Sequence, residues 1–421
     1  MAFYSKKKLL NNSFIMNSIL MFFLLFFLFL ISGCNDAPTE IGTEFLSDTL
    51  TIKIFNENDS IINRTESYYY NSPVERNTGL ILVGITDKIK AISLIRYSIP
   101  VDKKDISVED IISCELFFPL DTYFVGDSIS NQLNFEIKEV TQSWNINTTT
   151  FEEVNNTSLF TDGKFIGEWT GNIERKDTLD TLIFNFSKDL CVKWLQDIND
   201  GINITDTIWG IGIIPKVGST IINGFAADLI NKKNSFIKVI YQQNNTIDSF
   251  IINSAENVSF INSSETLDKN SIIIQSGVRV HSRIYIDFKE LSKYSCVNST
   301  EITLFLDIEK CSLNSNIKNL DTSLCLAYIG DSSLTEKFIH FKSRILGQYD
   351  STEKKVTFRI NGHDAMNYIL RKTSGIGELI LMNSTPVNEH NYLDKWVFFG
   401  MNCSEISKQP KIKLFITKHS F

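Results

Sequence analysis

Proline is scarce in this chain, seven residues in 421, which leaves nothing to build a Pro-rich stalk. The seven cysteines contain no CxxC spacing, so a tetrahedral zinc site of the usual kind is not expected. GxSxG, HExxH, Walker A and a GxGxxG opening a helix are all missing, which removes the motif-borne routes to acyl hydrolysis, metalloproteolysis and nucleotide chemistry. The five histidines, His281, His340, His363, His390 and His419, are scattered through the second half and read as surface or turn residues rather than ligands. Glu152 and Glu153 are neighbours; in a strand they point to opposite faces and cannot form the facing pair that glycoside hydrolysis needs. No cofactor is implied.

Basic residues are also in deficit. Without residues 1–33, which hold three lysines and no acid, 38 Lys and Arg face 49 Asp and Glu, a net charge of −11. Nucleic acid is therefore not an expected partner, because phosphate binding needs a basic surface.

One apolar run stands out at the start. Lys6-Lys7-Lys8 precedes the stretch from Ile19 to Ile31, which is shorter than the roughly 20 residues of a helical span and has the order of a signal peptide. Its end, Ile31-Ser32-Gly33-Cys34, resembles the bacterial lipobox, in which the cysteine is lipidated before cleavage. Residues 1–33 are then removed and acyl chains on Cys34 hold the protein at the membrane, each buried CH₂ contributing about 0.8 kcal/mol. No later apolar run reaches about 18 residues, so the rest of the chain is expected in water. The location implied is the outer membrane, lipid-anchored on the periplasmic face or the cell surface.

Hydrophobic residues make up 43% and charged residues 21% of the sequence, enough apolar material for sizeable cores. Thirty-one phenylalanines, abundant isoleucine and turn-forming Asn, Asp and Ser favour β structure. A pattern then recurs after roughly 180 residues, the signature of an internal repeat. The first copy runs SYYYNS (67–72), GLILVG (79–84), ISLIRYSIP (92–100) and IISCELFFPL (111–120); the second runs VSFINSS (258–264), SIIIQSG (271–277), SRIYIDFKEL (282–291) and EITLFLDI (301–308).

The later halves match more closely. TLIFNF (181–186) enters a helical pattern with Leu190, Cys191, Trp194, Leu195 and Ile198 on one face, Ser187 as N-cap and Gly201 as stop. VTFRI (356–360) enters another with Met366, Ile369 and Leu370 aligned, Asn361 as cap and Gly375 as stop. Each copy closes on three apolar strands, ending in SFIKVIY (235–241) or PKIKLFI (410–416). The expected fold is all-β: two tandem antiparallel β-sandwich (jelly-roll-like) domains, each with one short helix. Residues 34–49 form a polar tether, 50–244 the first sandwich and 245–421 the second, diverged one.

In IISCELFF, Cys114 shares a face with Ile112, Leu116 and Phe118 and behaves as a small buried hydrophobe. Free buried thiols are expected for Cys114 and Cys191. A disulfide is more plausible among Cys296, Cys311, Cys325 and Cys403, since an exported chain permits bridges.

Several segments carry a family resemblance. Asn77-Thr78-Gly79 stands before the Leu80–Gly84 strand, Leu94-Ile95-Arg96-Tyr97 is similar to an "LLRF" segment, Val140–Trp144 to "VT-x-x-W", and Thr148–Phe151 to "TTW". On these residues the stretch from Tyr68 to Tyr241 resembles the DNRLRE domain, grouped with family-96 carbohydrate-binding modules. The second copy keeps Asp287-Phe288 and Pro410–Lys413 but lacks the tryptophan segment. Phe151 stands where that family has tryptophan, and its usual proline is absent before Ser235-Phe236. The start of the mature chain, through Pro38–Gly42, is similar to outer-membrane lipoproteins of the Bacteroidetes type.

Two classes of function follow. The resemblance implies a non-catalytic lipoprotein whose modules bind polysaccharide. A saccharide offers an apolar face and a hydroxyl rim, so aromatic platforms are required, and Tyr68, Tyr70, Trp144 and Trp169 are the candidates; the same rings serve equally as sandwich packing. Trp144 is the one most suited to a structural role, and Trp169, in the polar stretch GEWTGN, the best candidate for an exposed ring. The alternative is a structural or adhesion lipoprotein that binds other surface proteins, because sandwiches host many functions. The recurring Asp-Ser/Thr-aliphatic triplets, such as Asp127-Ser128-Ile129, resemble an exported-protein O-glycosylation site and are also ordinary turn chemistry.

Overall fold

The computed structural model describes residues 50–54, 61–69, 79–103, 105–173, 180–197, 208–227, 234–275, 277–291, 295–312, 324–328, 344–361, 364–383 and 393–418. Two strands, β1 (Leu50–Ile54) and β2 (Ile62–Tyr69), come first. The first repeat opens with β2 and goes on through β3 (Gly79–Ile85), β4 (Ile89–Ser98), β5 (Ile111–Gly126), β6 (Gln132–Glu139), α1 (Phe151–Asn155), β7 (Phe165–Asn172) and β8 (Thr181–Asn185). It continues with α2 (Lys188–Asp197), β9 (Ile211–Pro215), β10 (Ile221–Ala227) and β11 (Phe236–Gln243). The second repeat begins with β12 (Thr246–Ser263), β13 (Ser271–Gln275), β14 (Val280–Asp287), β15 (Ser295–Phe305), β16 (Leu324–Tyr328), β17 (Arg344–Asp350) and β18 (Lys355–Asn361). It ends with α3 (Asp364–Arg371), β19 (Ile376–Asn383), β20 (Lys395–Phe399) and β21 (Lys411–Lys418). The class is all-β and antiparallel, as the alternation of apolar and polar residues requires.

Long strands turn the corners of the first repeat. In β5, residues 111–117 pair with β11 and residues 120–126 with β10. Pro119, which has no N–H to give a ladder, sits near the change of partner. β12 makes the same kind of switch, pairing through Asn253 with β11 and from there onward with β4. Between the layers, Phe118, Phe135, Phe184 and Phe225 meet edge to face at 5.6–6.3 Å, the arrangement ring quadrupoles favour. Helix α2 lays Leu190, Cys191, Trp194 and Leu195 onto this core, and Trp194 stacks on Tyr97 at 6.1 Å. Ser187 caps it, its Oγ accepting the Leu190 N–H at 3.3 Å; Gly201 lies outside the described residues.

Cys114 and Cys191 are free and buried; their mutual hydrogen bond and burial push the Cys114 thiol pKa up. Ile112 does not share their face. The pairing of β5 with β11 slips by one residue between Ile240 and Tyr241, and this bulge buries Ile111 while leaving Ile112 46% exposed. Residues 151–155 form a second helix in this repeat, so Glu152 and Glu153 lie on a helix and not in a strand. Thr150 accepts from the Glu153 N–H and Glu153 reaches back to the Thr150 N–H, a complete capping box.

The second repeat reproduces these pairings. β3–β4, β3–β10, β4–β9, β6–β9, β6–β7 and β5–β11 recur as β13–β14, β13–β20, β14–β19, β16–β19, β16–β17 and β15–β21. Its helix buries Met366, Ile369 and Leu370 as expected. Asn361 is the last residue of β18 rather than the helix cap, while Gly375 does end the turn with φ of +64°. Cys296, Cys311 and Cys403 are unbridged thiols, so the disulfide expected among them is not formed; the Cys325 side chain lies outside the described residues.

A boundary at 244/245 does not separate the sheets. Strand β2 pairs with β14 of the second repeat, and β12 pairs with β4 of the first. The two repeats also share a hydrophobic cluster in which Leu80, Leu82, Ala91 and Ile222 meet Ile273, Val280, Leu393 and Val397. Tyr123 from β5 donates to Asp394 at 3.3 Å and accepts the Leu393 N–H.

Candidate functional site

Strand alternation gives each sheet an outer face, built from β4 and β12 in the first repeat's sheet and from β14 and β2 in the second's. In the first repeat the outward residues of β4 and β12 are Ile92, Leu94, Val258 and Phe260, all buried. The segment 140–160 covers them with Val140, Trp144, Ile146, Val154, Leu159 and Phe160. At its rim Arg96 pairs with Glu256 at 2.8 Å and lies over Trp144 at 4.1 Å. Trp144 is 4% exposed, and its indole donates to the Trp209 carbonyl at 2.8 Å. This ring is part of the packing.

The equivalent face of the second repeat is chemically different. His281, Arg283 and Tyr285 of β14 stand opposite Tyr68, Glu66 and Arg64 of β2, and Glu378 of β19 stands opposite Tyr285 on the other side. Arg64 lies 4.0 Å over the Tyr285 ring, and Arg283 lies 4.3 Å over Tyr68. The Tyr285 hydroxyl donates to Glu66 at 3.0 Å. Tyr68 meets His281 edge-on at 6.3 Å. Burial disfavours the Arg283 charge, but hydrogen bonds to Tyr68 and Tyr285 and the nearby Glu378 hold its pKa above the ordinary arginine value.

Water reaches this ladder: the Arg64 and Glu66 side chains are 58% and 49% exposed, and Arg283 and Glu378 are 27% and 28% exposed. Planar guanidinium groups held flat on aromatic rings keep their N–H forks ordered for an incoming oxygen. The face can therefore offer hydrogen-bond donors and acceptors and ring edges, along three adjacent strands.

Among the described candidates, Tyr68 is the one that lies on this face. Tyr70 and the lipidation residue Cys34 lie outside the described residues. Trp169 is on β7 opposite Phe135, half-buried against the first repeat's core, and its indole N–H has no hydrogen-bond partner among the described residues. Arg64, Glu66, Arg283, Tyr285 and Glu378 were not singled out from sequence. For Arg283 and Tyr285 a signal was present in the aligned repeats, where SRIYID places Arg and Tyr at positions occupied by Leu94 and Arg96 in the first copy. Asp127-Ser128-Ile129 forms a turn in which Asp127 accepts the Ile129 N–H at 2.8 Å.

Among the described residues, no group of three or more His, Cys, Asp and Glu side chains is placed to hold a metal ion, and no helix is long and apolar enough to cross a membrane. No family model and no curated protein matches this chain.

Proposed function

We propose that the protein is a non-catalytic, lipid-anchored outer-membrane protein that binds polysaccharide through its second repeat. The observation that carries this reading is the ladder of Arg64, Glu66, Tyr68, Arg283, Tyr285 and Glu378 on the outer face of β2, β14 and β19. Sugars are recognised by aromatic surface combined with fixed polar groups, and the ladder supplies both. The resemblance of the first repeat to the DNRLRE domain supports the same class, as does the lipobox at Cys34 for the location.

A structural or adhesion role suits the first repeat, because Trp144 and Trp169 are both engaged with its packing. The first repeat then acts as scaffold and the second as binder.

The test is a glycan array probed with the soluble 35–421 form, covering acidic and neutral polysaccharides. Binding that is lost in Arg283→Ala and in Tyr285→Ala, with unchanged circular dichroism, and kept in Trp169→Phe supports the proposal. Binding to no polysaccharide, or binding insensitive to both ladder variants, overturns it.

A further inference from the structure

The two repeats do not each keep their own first strand. SYYYNS and VSFINSS occupy the same place in the repeated pattern, yet each strand is docked in the other repeat's sheet. The register is the same in both. Ser67 stands opposite Ser282, and Ser259 opposite Ser93. Each pair of hydroxyls is 2.8 Å apart, and the first-strand serine accepts a backbone N–H, Ile273 at 2.8 Å or Leu82 at 2.9 Å. Ser282 and Ser93 donate to the carbonyls of those same residues at 2.8 Å. These serine nodes are interchangeable and do not choose a partner.

The outward neighbours do choose. In the same register, returning β2 to β4 sets Arg64 against Arg96, in a rim pocket where the Arg96 and Glu256 side chains are only 17% exposed and Trp144 and Trp209 line the sides. It also pushes Glu66 and Tyr68 onto Leu94 and Ile92, beneath the apolar cover of residues 140–160. Returning β12 to β14 removes Glu66 from Arg283 and places Val258 there. Like charges in a low-dielectric slot and a carboxylate without a partner are costly, so the pairing that avoids them wins.

We propose that this chain is a reciprocally strand-exchanged pair of repeats, its exchange encoded by Arg96–Glu256 in one sheet and by Arg64, Glu66 and Tyr68 against Tyr285, Arg283 and His281 in the other. The side of β14 turned away from β19 is a strand-acceptor site, and its occupant is the chain's own segment 62–69. The polypeptide that follows the N-terminal region therefore enters the second repeat before it builds the first. Half of the polar and aromatic ladder comes from that entering strand. The inference is independent of what the ladder binds.

The test uses the whole chain and disulfide trapping with peptide mapping. Ser67→Cys with Ser282→Cys should cross-link within one molecule under mild oxidation, and Ser67→Cys with Ser93→Cys should not. The combined charge reversal Arg64→Glu and Glu256→Arg, added to each pair, should raise the Ser67–Ser93 cross-link several-fold at the expense of Ser67–Ser282. A dominant Ser67–Ser93 cross-link in the otherwise unaltered chain overturns the exchange. A Ser67–Ser282 cross-link found only in covalent dimers overturns the assignment of the occupant, since the donor strand then comes from a second copy. Unchanged cross-linking after charge reversal overturns the encoding.

Discussion

The guanidinium of Arg96 lies 4.1 Å from the Trp144 ring and donates through Nη2 to the carbonyl of that same residue. The arrangement clamps residues 140–160 onto the outer face of β4 and β12. Removing the ring leaves a cavity under the clamp and strands the Trp209 carbonyl. Trp144→Ala is expected to cost about 3–5 kcal/mol, in the range of large aromatic truncations, measured by urea unfolding. Trp169→Ala, at a half-buried edge position, should cost clearly less, and the reverse order would refute this account of the clamp.

The serine nodes yield a second expectation. Ser259→Ala leaves the buried Leu82 N–H without its side-chain acceptor, and Ser67→Ala weakens the shared bond from Ile273, which also reaches Ser282 at 3.1 Å. A buried donor left unsatisfied costs about 1–3 kcal/mol. Ser259→Ala should therefore destabilise more than Ser67→Ala, read from denaturation midpoints at constant slope.

Acid should loosen the contact between the repeats. Burial opposes the Glu265 charge, yet Lys395 and Lys88 hold its carboxyl below the ordinary glutamate pKa. A carboxylate with a lower pKa folded than unfolded contributes stability that is present above its unfolded value and lost as pH falls through the folded one. Thermal midpoints should decline as pH drops below the ordinary glutamate range, and Glu265→Gln should flatten that decline. An unchanged slope in the variant would contradict the role of this triad.

Cys34 offers a direct check on location. Cys34→Ser should yield a larger, unlipidated precursor that no longer labels with radioactive palmitate. Processing and membrane attachment indistinguishable from the unaltered chain would reject the lipoprotein proposal.

Much of the architecture was legible because alternation and capping are local. The apolar runs at 79–84, 181–186 and 377–382 became β3, β8 and β19 within a residue or two, and Leu190, Trp194, Met366 and Ile369 face the cores that their helical spacing requires. The capping box at Thr150 and Glu153 is equally local, yet it was missed, Glu152 and Glu153 having been placed only in a strand. Ile112 was not legible, since a bulge is a relation between β5 and β11 and neither strand declares it alone. Of the candidate face, the sequence marked Tyr68 but not Arg283 or Tyr285, because a period of two says that residues share a face without saying which strand lies opposite.

The sequence by itself determined that there are two similar sets of strands, which residues of most of them point inward, and where α2 and α3 fall. Only the tertiary structure decided which first strand joins which sheet. The backbone ladders and the serine nodes are the same for either choice, so the decision rests on side chains far apart in sequence: Arg96 with Glu256 in one repeat, Arg64 and Glu66 with Tyr285 and Arg283 in the other. Those pairs exist only once the chain has brought residues 62–69 to the edge of β14.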